Sequence, residues 1–312
     1  MAKFKTINEA IVEVESYIKN RMEGTITSMK TGFPKLDKCM IDGIEWSSTL
    51  TIGGRPSVGK SAFSDCIIDG AFKSNVGDDG LPTFDLLDFN WELSSKVILL
   101  RRLSAEMKES YKHIISADGT KISPVELNMI QQILKNKYGR LPITFSEEPL
   151  TTKEFADTVK RFVDKVKRNV LVRIDHTLLA RQAASETSQV QMLLNLLMEA
   201  NSIKKEYPVI FMFLTQVNRE FEERQEDGSD RAFPRQSDVY GGDAAAMFSE
   251  TILLLNKPSK YGVSLYGRRN TDSCIHVDTN DLFAHIVKNR NSEGDFILHY
   301  KENFKHMSIK EY

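Results

Sequence analysis

Residues 54–61, Gly-Arg-Pro-Ser-Val-Gly-Lys-Ser, constrain the fold more than any other part of the sequence. They match the pattern G-x-x-x-x-G-K-[ST], in which glycines allow backbone N–H groups to surround phosphate oxygens. The apolar run Leu50–Ile52 before them predicts a strand, and the apolar spacing within Ala62–Phe72 predicts a helix whose N-terminus faces the phosphates. This succession predicts a nucleotide-binding α/β fold.

The residue types in the loop also predict its ligands. Lys60 is expected to reach the outer phosphates of ATP, and the Ser61 hydroxyl is expected to bind Mg²⁺. ATP and Mg²⁺ are therefore the expected cofactors. The predicted phosphate cradle consists of Gly54, Arg55, Pro56, Ser57, Val58, Gly59, Lys60, Ser61 and Ala62.

Composition excludes several classes of protein. The 312 residues are 41% hydrophobic, which suffices for a real core, and the formal net charge of −1 gives no overall basic signature of nucleic-acid binding. The three cysteines lie far apart in the sequence, so neither a disulfide framework nor a zinc ribbon is indicated. Without an apolar signal or a long apolar run, a cytoplasmic location is expected.

The hydrophobic pattern divides the chain into an N-terminal linker and a larger domain. Ile7–Met22 has apolar residues at three- and four-residue steps, which predicts an amphipathic helix within an N-terminal linker, 1–24. Such a helix could pack on its own domain or on a neighbouring subunit, and the pattern leaves both open. Residues 25–312 are predicted to form a single ATPase domain.

Strand and helix patterns alternate after the phosphate loop, which predicts a mostly parallel central sheet flanked by helices. The polar stretch Asn218–Asp238 predicts a mobile surface loop. The predicted strands are Phe84–Phe89, Val170–Ile174, Val209–Leu214 and Thr251–Leu255, and the predicted helices are Ser95–Lys108, Pro124–Lys137, Thr152–Val166 and Gln189–Glu206.

Polar residues follow three of these strands, at the edge where parallel sheets present their functional groups. Glu92 is a candidate to activate water, Asp175 to hold Mg²⁺, and Gln216 to sense the γ-phosphate through a neutral amide. Each acid, taken alone, could instead be a solvated loop residue or a helix cap. The phosphate loop upstream favours the functional interpretation.

A predicted hairpin near the C-terminus carries two cations. Lys288 and Arg290 are two residues apart, so they project from one face of the strand and could act on the nucleotide of a neighbouring protomer. The alternative is a solvated basic hairpin tip.

The ordered set of segments resembles the helicase domain of DnaB-type replicative helicases, a branch of the RecA-like ATPases. This resemblance implies a RecA-like fold, Glu92 as catalytic carboxylate, and Lys288 and Arg290 acting in trans within a homohexamer. It also implies single-stranded DNA, a primase and a helicase loader as partners. The segments that carry it are 31–37, 54–61, Trp91–Ser94, Ile174–Leu179, Leu214–Arg219 and Lys288–Asn291.

The sequence departs from the family pattern in two places. From these residues we expect no counterpart of the family's large N-terminal collar domain, which puts primase recruitment through a collar in doubt. In the channel loop, Ser237–Asp243 lacks the family's arginine, yet the main-chain donors of Tyr240, Gly241 and Gly242 could still bind DNA phosphates, and Tyr240 could stack on a base. Beside Asp175, His176 replaces an aromatic residue, and a packed or hydrogen-bonded imidazole is the favoured interpretation.

The favoured function is an ATP-driven helicase that works as a ring on single-stranded DNA. One alternative is a RecA-like ATPase that assembles on DNA in recombination or repair without unwinding it. Another is a nucleotide-gated scaffold that hardly hydrolyses ATP, against which Lys60, Glu92, Asp175 and Arg290 all argue.

Overall fold

The computed structural model describes residues 4–117, 122–225, 233–267, 274–292, 294 and 296–312, apart from the side chains at 242 and 243. Within these ranges nine strands form one sheet, and two short strands pair separately. The strands are β1 (Thr49–Gly54), β2 (Phe84–Asn90), β3 (Ile143–Ser146), β4 (Asn169–Asp175), β5 (Val209–Thr215), β6 (Thr251–Asn256), β7 (Leu265–Tyr266), β8 (Ile275–His276), β9 (Asp281–Asn289), β10 (Phe296–Asn303) and β11 (Ser308–Glu311).

The large sheet has the order β11-β10-β9-β6-β1-β5-β4-β2-β3. The six strands from β6 to β3 in this order run parallel, and β9, β10 and β11 continue the sheet in antiparallel fashion. The prediction of a mostly parallel sheet is confirmed. Because parallel strands end at the same edge, the segments after β1, β2, β4 and β5 meet there.

Helices cover both faces of the sheet, and each predicted helix is present. Several begin with a side chain that satisfies their first N–H groups: Thr151 and Glu154 form such a reciprocal capping pair at the start of the seventh helix. The described helices are α1 (Ile7–Met22), α2 (Pro34–Cys39), α3 (Lys60–Ser74), α4 (Ser95–Met107), α5 (Tyr111–Ile115), α6 (Pro124–Asn136), α7 (Thr152–Val166), α8 (Gln189–Glu206), α9 (Glu220–Gln225) and α10 (Gly242–Phe248).

Successive side chains along the strands lie alternately in two hydrophobic cores, one on each face of the sheet. Phe63 of α3 packs on one face with Met212, and Phe155 of α7 packs on the other with Phe211. Fully burying such a side chain contributes about 1.5–3 kcal/mol. A rigid, doubly covered sheet therefore supports the edge at which β1, β2, β4 and β5 end.

α1 differs from the other long helices because it buries none of its residues. Its apolar side chains stay exposed, including Ile11 at 46% and Ile18 at 59%. Among the described residues, no helix is both long and apolar enough to cross a bilayer.

The prediction of a single surface loop over Asn218–Asp238 is wrong at both ends. α9 occupies its beginning, a short 3₁₀ helix occupies Gln236–Asp238, and the side chains of Phe221 and Asp238 are buried. The sparse apolar residues hid this structure, because Phe221 is the single apolar residue of α9 and packs in a small core. Residues 226–232, including Arg231, lie outside the described residues, as do 293 and 295 in the predicted hairpin turn.

Candidate active site

The phosphate loop lies between the end of β1 and the start of α3. Gly59 precedes the helix with a φ of 104°, and among the described side chains none caps the first turn. A Cβ at position 59 would lie 2.4 Å from the ring of Phe304. Glycine is therefore required both by the backbone and by this contact, and the uncapped N–H groups of α3 form a site for an anion.

The Lys60 side chain is hydrogen-bonded to the main chain of the phosphate loop. Its Nζ donates to the main-chain oxygens of Gly54 at 2.9 Å and Arg55 at 3.3 Å. Burial lowers the pKa of Lys60 to about 8, although the carboxylates of Asp175 and Glu92 oppose that shift. Phosphate oxygens would give this ammonium stronger, charge-assisted partners than the loop carbonyls do.

Asp175 and Ser61 meet at the adjoining strand end. Asp175 is the last residue of β4 and is buried. Burial raises the pKa of its carboxyl, while Arg173 and a hydrogen bond from the Ser61 hydroxyl act in the opposite direction. A hydroxyl and a carboxylate in contact are the oxygen ligands that Mg²⁺ takes beside a phosphate loop.

Glu92 follows β2, the strand next to β4. Asn90 at the end of β2 lies opposite Asp175 at the end of β4, so Glu92 and Asp175 lie at neighbouring strand ends. The Glu92 side chain is exposed, whereas the preceding Trp91 is buried and anchors the segment. An accessible carboxylate near Lys60 can take a proton from water without a large change in packing.

Gln216 follows β5 and joins two segments. Its side-chain amide nitrogen lies 2.8 Å from Nε2 of His176. Its main-chain oxygen accepts a hydrogen bond from the N–H of Tyr240 at 2.9 Å. Gln216 therefore contacts both His176, the residue after Asp175, and the loop that precedes α10. That helix begins at Gly242, and Gly241 is its N-terminal cap residue.

Arg173 is a charged residue inside the apolar run of β4, and the structure explains its presence. Its guanidinium binds both oxygens of Asp88, at 2.7 and 2.6 Å, and also binds Asp65 and Ser64. Asp88 lies opposite Arg173 on β2. A charge inside an apolar strand signals a buried partner, but the sequence could not show which acid supplies it.

Two further side-chain contacts hold the phosphate loop, and no sequence pattern indicated either contact. Arg55 binds both carboxylate oxygens of Glu222 on α9, at 2.8 and 3.0 Å. Lys260 donates to the main-chain oxygens of Pro56 at 3.2 Å and Ser57 at 3.0 Å. The loop is therefore tied to α9 and to the segment after β6.

Lys288 and Arg290 lie at the opposite end of the parallel strands from the phosphate loop of their own subunit. Lys288 donates to the main-chain oxygen of Ala246, and Arg290 donates to that of Met247, both in the last turns of α10. Arg290 also lies 3.4 Å from Glu250, which accepts a hydrogen bond from the N–H of Thr49 at the start of β1. The length of β1, about 17 Å at 3.3 Å per residue, separates these cations from the loop.

The sequence also has relatives of known fold. Residues 28–308 match the family described as the DnaB-like helicase C terminal domain. The chain belongs to this family.

Individual DnaB-like relatives agree with that assignment. The chain is 23% identical over 261 residues to the replicative DNA helicase DnaC of Bacillus subtilis (strain 168), covering 83% of this chain and 54% of that protein. It is 33% identical over 106 residues to the replicative DNA helicase DnaB of Geobacillus stearothermophilus, covering 33% of this chain and 21% of the relative. The matches thus span only part of each relative's length.

Solved structures show the same DnaB-like fold. A structure described as an ATPase domain superposes with a TM-score of 0.79 at 19% identity, covering 99% of this chain and all of that chain. A DnaB-like replicative helicase, described with its interactions with primase, superposes with a TM-score of 0.77 at 19% identity over 98% of this chain and 68% of that chain. A KaiC-like protein of Pyrococcus horikoshii OT3 superposes more distantly, with a TM-score of 0.55 at 14% identity over 92% of this chain and 99% of that chain. The RecA-like fold expected from the sequence is confirmed.

Proposed function

We propose that this chain is the motor of an ATP-driven DNA helicase that works as a ring on single-stranded DNA. The observation that carries the proposal is the separation of charges across the sheet. Lys60, Ser61, Glu92 and Asp175 gather at one edge, whereas Lys288 and Arg290 lie at the other. Two halves of an active site on opposite sides of one subunit are complete only when copies stand head to tail.

The nucleotide half of the site suits MgATP. The N–H groups of the phosphate loop and Lys60 would hold the phosphates, and Ser61 and Asp175 would hold Mg²⁺. The metal ion supplies neutralising charge to the phosphate oxygens. Glu92 takes a proton from the attacking water, and Gln216 contacts the γ-phosphate or that water.

The other half of the site comes from the next subunit. In a ring of six copies, Arg290 and Lys288 approach the phosphates held by the neighbour and stabilise the charge that develops in the transition state. The linker 1–24, with its exposed apolar helix α1, is the element that we assign to contacts between subunits. Residues 25–312 form the ATPase domain.

The loop before α10 is the proposed contact with DNA. Tyr240, Gly241 and Gly242 offer main-chain N–H groups to the DNA phosphates, and Tyr240 offers a ring to a base. Because the Tyr240 N–H is bound to the Gln216 carbonyl, a shift of this loop is transmitted to the nucleotide site. A primase and a helicase loader are the protein partners to test, and the cytoplasm is the proposed location.

Steady-state ATP turnover with and without single-stranded DNA tests this function. The measurement needs protein concentrations that allow assembly, and Glu92→Gln controls for contaminating activity. We expect DNA to stimulate the wild-type protein severalfold and the variant to lose turnover while binding ATP. Turnover that is equal with and without DNA would contradict the motor. ATP binding with almost no turnover in either condition would favour the nucleotide-gated scaffold.

A further inference from the structure

His176 stands where β4 ends, directly after Asp175. Its backbone lies in the left-handed region, with φ 62° and ψ 70°, and the chain turns there into the short helix Thr177–Leu179. Histidine and asparagine adopt this region more readily than most other residues with a side chain. Since β4 and β5 are neighbours in parallel register, the turn sets the imidazole beside the segment that follows β5.

The imidazole has one polar contact in the part of the chain that the structure describes. Its Nε2 lies 2.8 Å from the amide nitrogen of Gln216. Its Nδ1 is buried, and no described residue gives it a hydrogen bond. A histidine kept for structure alone would gain most from pairing both ring nitrogens, whereas this imidazole pairs its Nε2 with Gln216.

Gln216 is held at its main chain by a different element. The Tyr240 N–H donates to its carbonyl, and Val217 pairs with Val239 in an antiparallel bridge. The backbone of Gln216 is therefore bound to the segment 239–241, while its side-chain amide is bound to the turn after Asp175. The hydrogen bond to His176 is a direct side-chain contact between these two loops.

A glutamine side chain has three rotatable bonds, and fixing them costs conformational entropy. The contact with His176 fixes the amide before a nucleotide arrives. We propose that His176 is the positioning residue of Gln216, which holds its amide beside Asp175 and thereby couples the γ-phosphate to the position of Tyr240. This inference rests on the proposed function, because it assigns Gln216 to the γ-phosphate of ATP.

Two substitutions at one position separate the hydrogen bond from the backbone. His176→Asn keeps a residue suited to the left-handed turn, but its shorter amide lies near the position of Nδ1 and does not reach Gln216. His176→Gln places an amide near the position of Nε2 and can restore the contact. A loss seen in His176→Asn and recovered in His176→Gln is a loss of this hydrogen bond.

ATP turnover on single-stranded DNA is the first readout. We expect His176→Asn to lower kcat about tenfold, because the amide of Gln216 is no longer held in position, with KM for ATP unchanged within about twofold. His176→Gln should recover most of kcat. In the Gln216→Ala background, His176→Asn should have no further effect, because His176 acts only through Gln216. An unchanged kcat in His176→Asn, or losses that multiply in the double variant, would overturn the proposal.

Reversible unfolding without nucleotide is the second readout, and it does not depend on activity. His176→Asn should raise the unfolding equilibrium constant severalfold in the wild-type background and leave it unchanged in the Gln216→Ala background. Equal effects in both backgrounds would show that His176 does not hold Gln216 and would overturn the proposal. A wild-type protein without ATP turnover would instead refute the proposed function, while this cycle still decides whether the contact exists.

Discussion

At the scale of single residues, burial shifts the pKa values of two charged groups in the candidate site. Lys60 keeps a pKa of about 8 because burial outweighs its carboxylate neighbours, and burial also raises the pKa of Asp175. Buried charges of this kind are expensive unless a ligand or a partner compensates them. The neighbouring Arg173 shows the compensated case, since Asp88 and Asp65 neutralise it.

Arg290→Ala tests the trans assignment. We expect turnover to fall by roughly 10³-fold or more, the usual contribution of an arginine finger, with ATP binding retained. Lys153→Ala, which removes an exposed cation from α7, is the matched control and should turn over normally.

Mixing two inactive variants sharpens this test. Lys60→Ala subunits retain Arg290, and Arg290→Ala subunits retain Lys60, so mixed rings contain some complete interfaces. Turnover should reappear on mixing. An Arg290→Ala protein that is as active as wild type, or a mixture as inactive as its components, would contradict the assignment.

His285 provides a test of stability against pH. Burial lowers the pKa of this histidine to about 3, and its Nε2 lies 2.7 Å from the Tyr266 hydroxyl. In the unfolded chain histidine binds a proton near its ordinary pKa of about 6.5, so the unfolded state is favoured as pH falls below that value. Between about pH 7 and about pH 5, the free energy of unfolding should fall by about 2 kcal/mol through this group alone.

Urea unfolding of the wild type and His285→Gln at both pH values isolates that contribution. The variant should lose about 2 kcal/mol less than the wild type over this range, because its amide does not titrate. Equal pH dependence in both proteins would mean that His285 is accessible to protons in the folded state.

At the scale of elements, α9 and α10 connect the nucleotide site to the rest of the subunit. α9 holds the phosphate loop through Arg55 and Glu222. α10 begins at the proposed DNA loop and ends at the main-chain oxygens that hold Lys288 and Arg290. A displacement of the proposed DNA loop can therefore reach both the nucleotide site of the same subunit and Lys288 and Arg290, the cations that we propose act on the neighbour's nucleotide.

Glu222→Ala tests the connection through α9. We expect the stimulation of ATP turnover by DNA to fall severalfold, because the phosphate loop no longer moves with α9. Stability should change by less than about 1 kcal/mol, since Glu222 is 43% exposed. Glu223→Ala, at the next and exposed position of the same helix, is the control. Equal stimulation in Glu222→Ala and Glu223→Ala would exclude a coupling role for the Arg55 pair.

The elements themselves were largely predictable, whereas the contacts between them were not. Apolar runs such as 170–174 and the pattern of Thr152–Val166 correctly predicted β4 and α7, because each pattern reflects one buried face. The pairing of His176 with Gln216 depends on the register of β4 and β5, which no local pattern contains. For the same reason, only the sheet topology shows that Arg290 lies at the opposite end of the strands from the phosphate loop of its own subunit.

At the scale of the whole molecule, one subunit has an exposed amphipathic helix, α1, and, in the proposed function, only part of each active site. Both features are satisfied by assembly, since a neighbour can cover α1 and supply the missing half of the site. In the proposed function this assembly is a ring around DNA.

Charged substitutions on α1 test its place in assembly. The pair Ile11→Asp and Ile18→Asp should abolish the ring in analytical ultracentrifugation and reduce turnover. The unfolding midpoint of the subunit should stay unchanged, because α1 buries none of its residues. Glu15→Ala on the same helix is the control and should assemble. A ring that persists in the double variant would exclude α1 as the subunit contact.

Strand separation of a forked DNA duplex is the measurement that tests the account most directly. A fork with free single-stranded ends allows a ring to thread without a loading protein. We predict that the wild-type protein separates the strands only with ATP and Mg²⁺, and that Glu92→Gln, which retains the nucleotide, does not. Wild-type protein that hydrolyses ATP in response to DNA but leaves the duplex intact would contradict the helicase and favour an ATPase that acts on DNA without unwinding it.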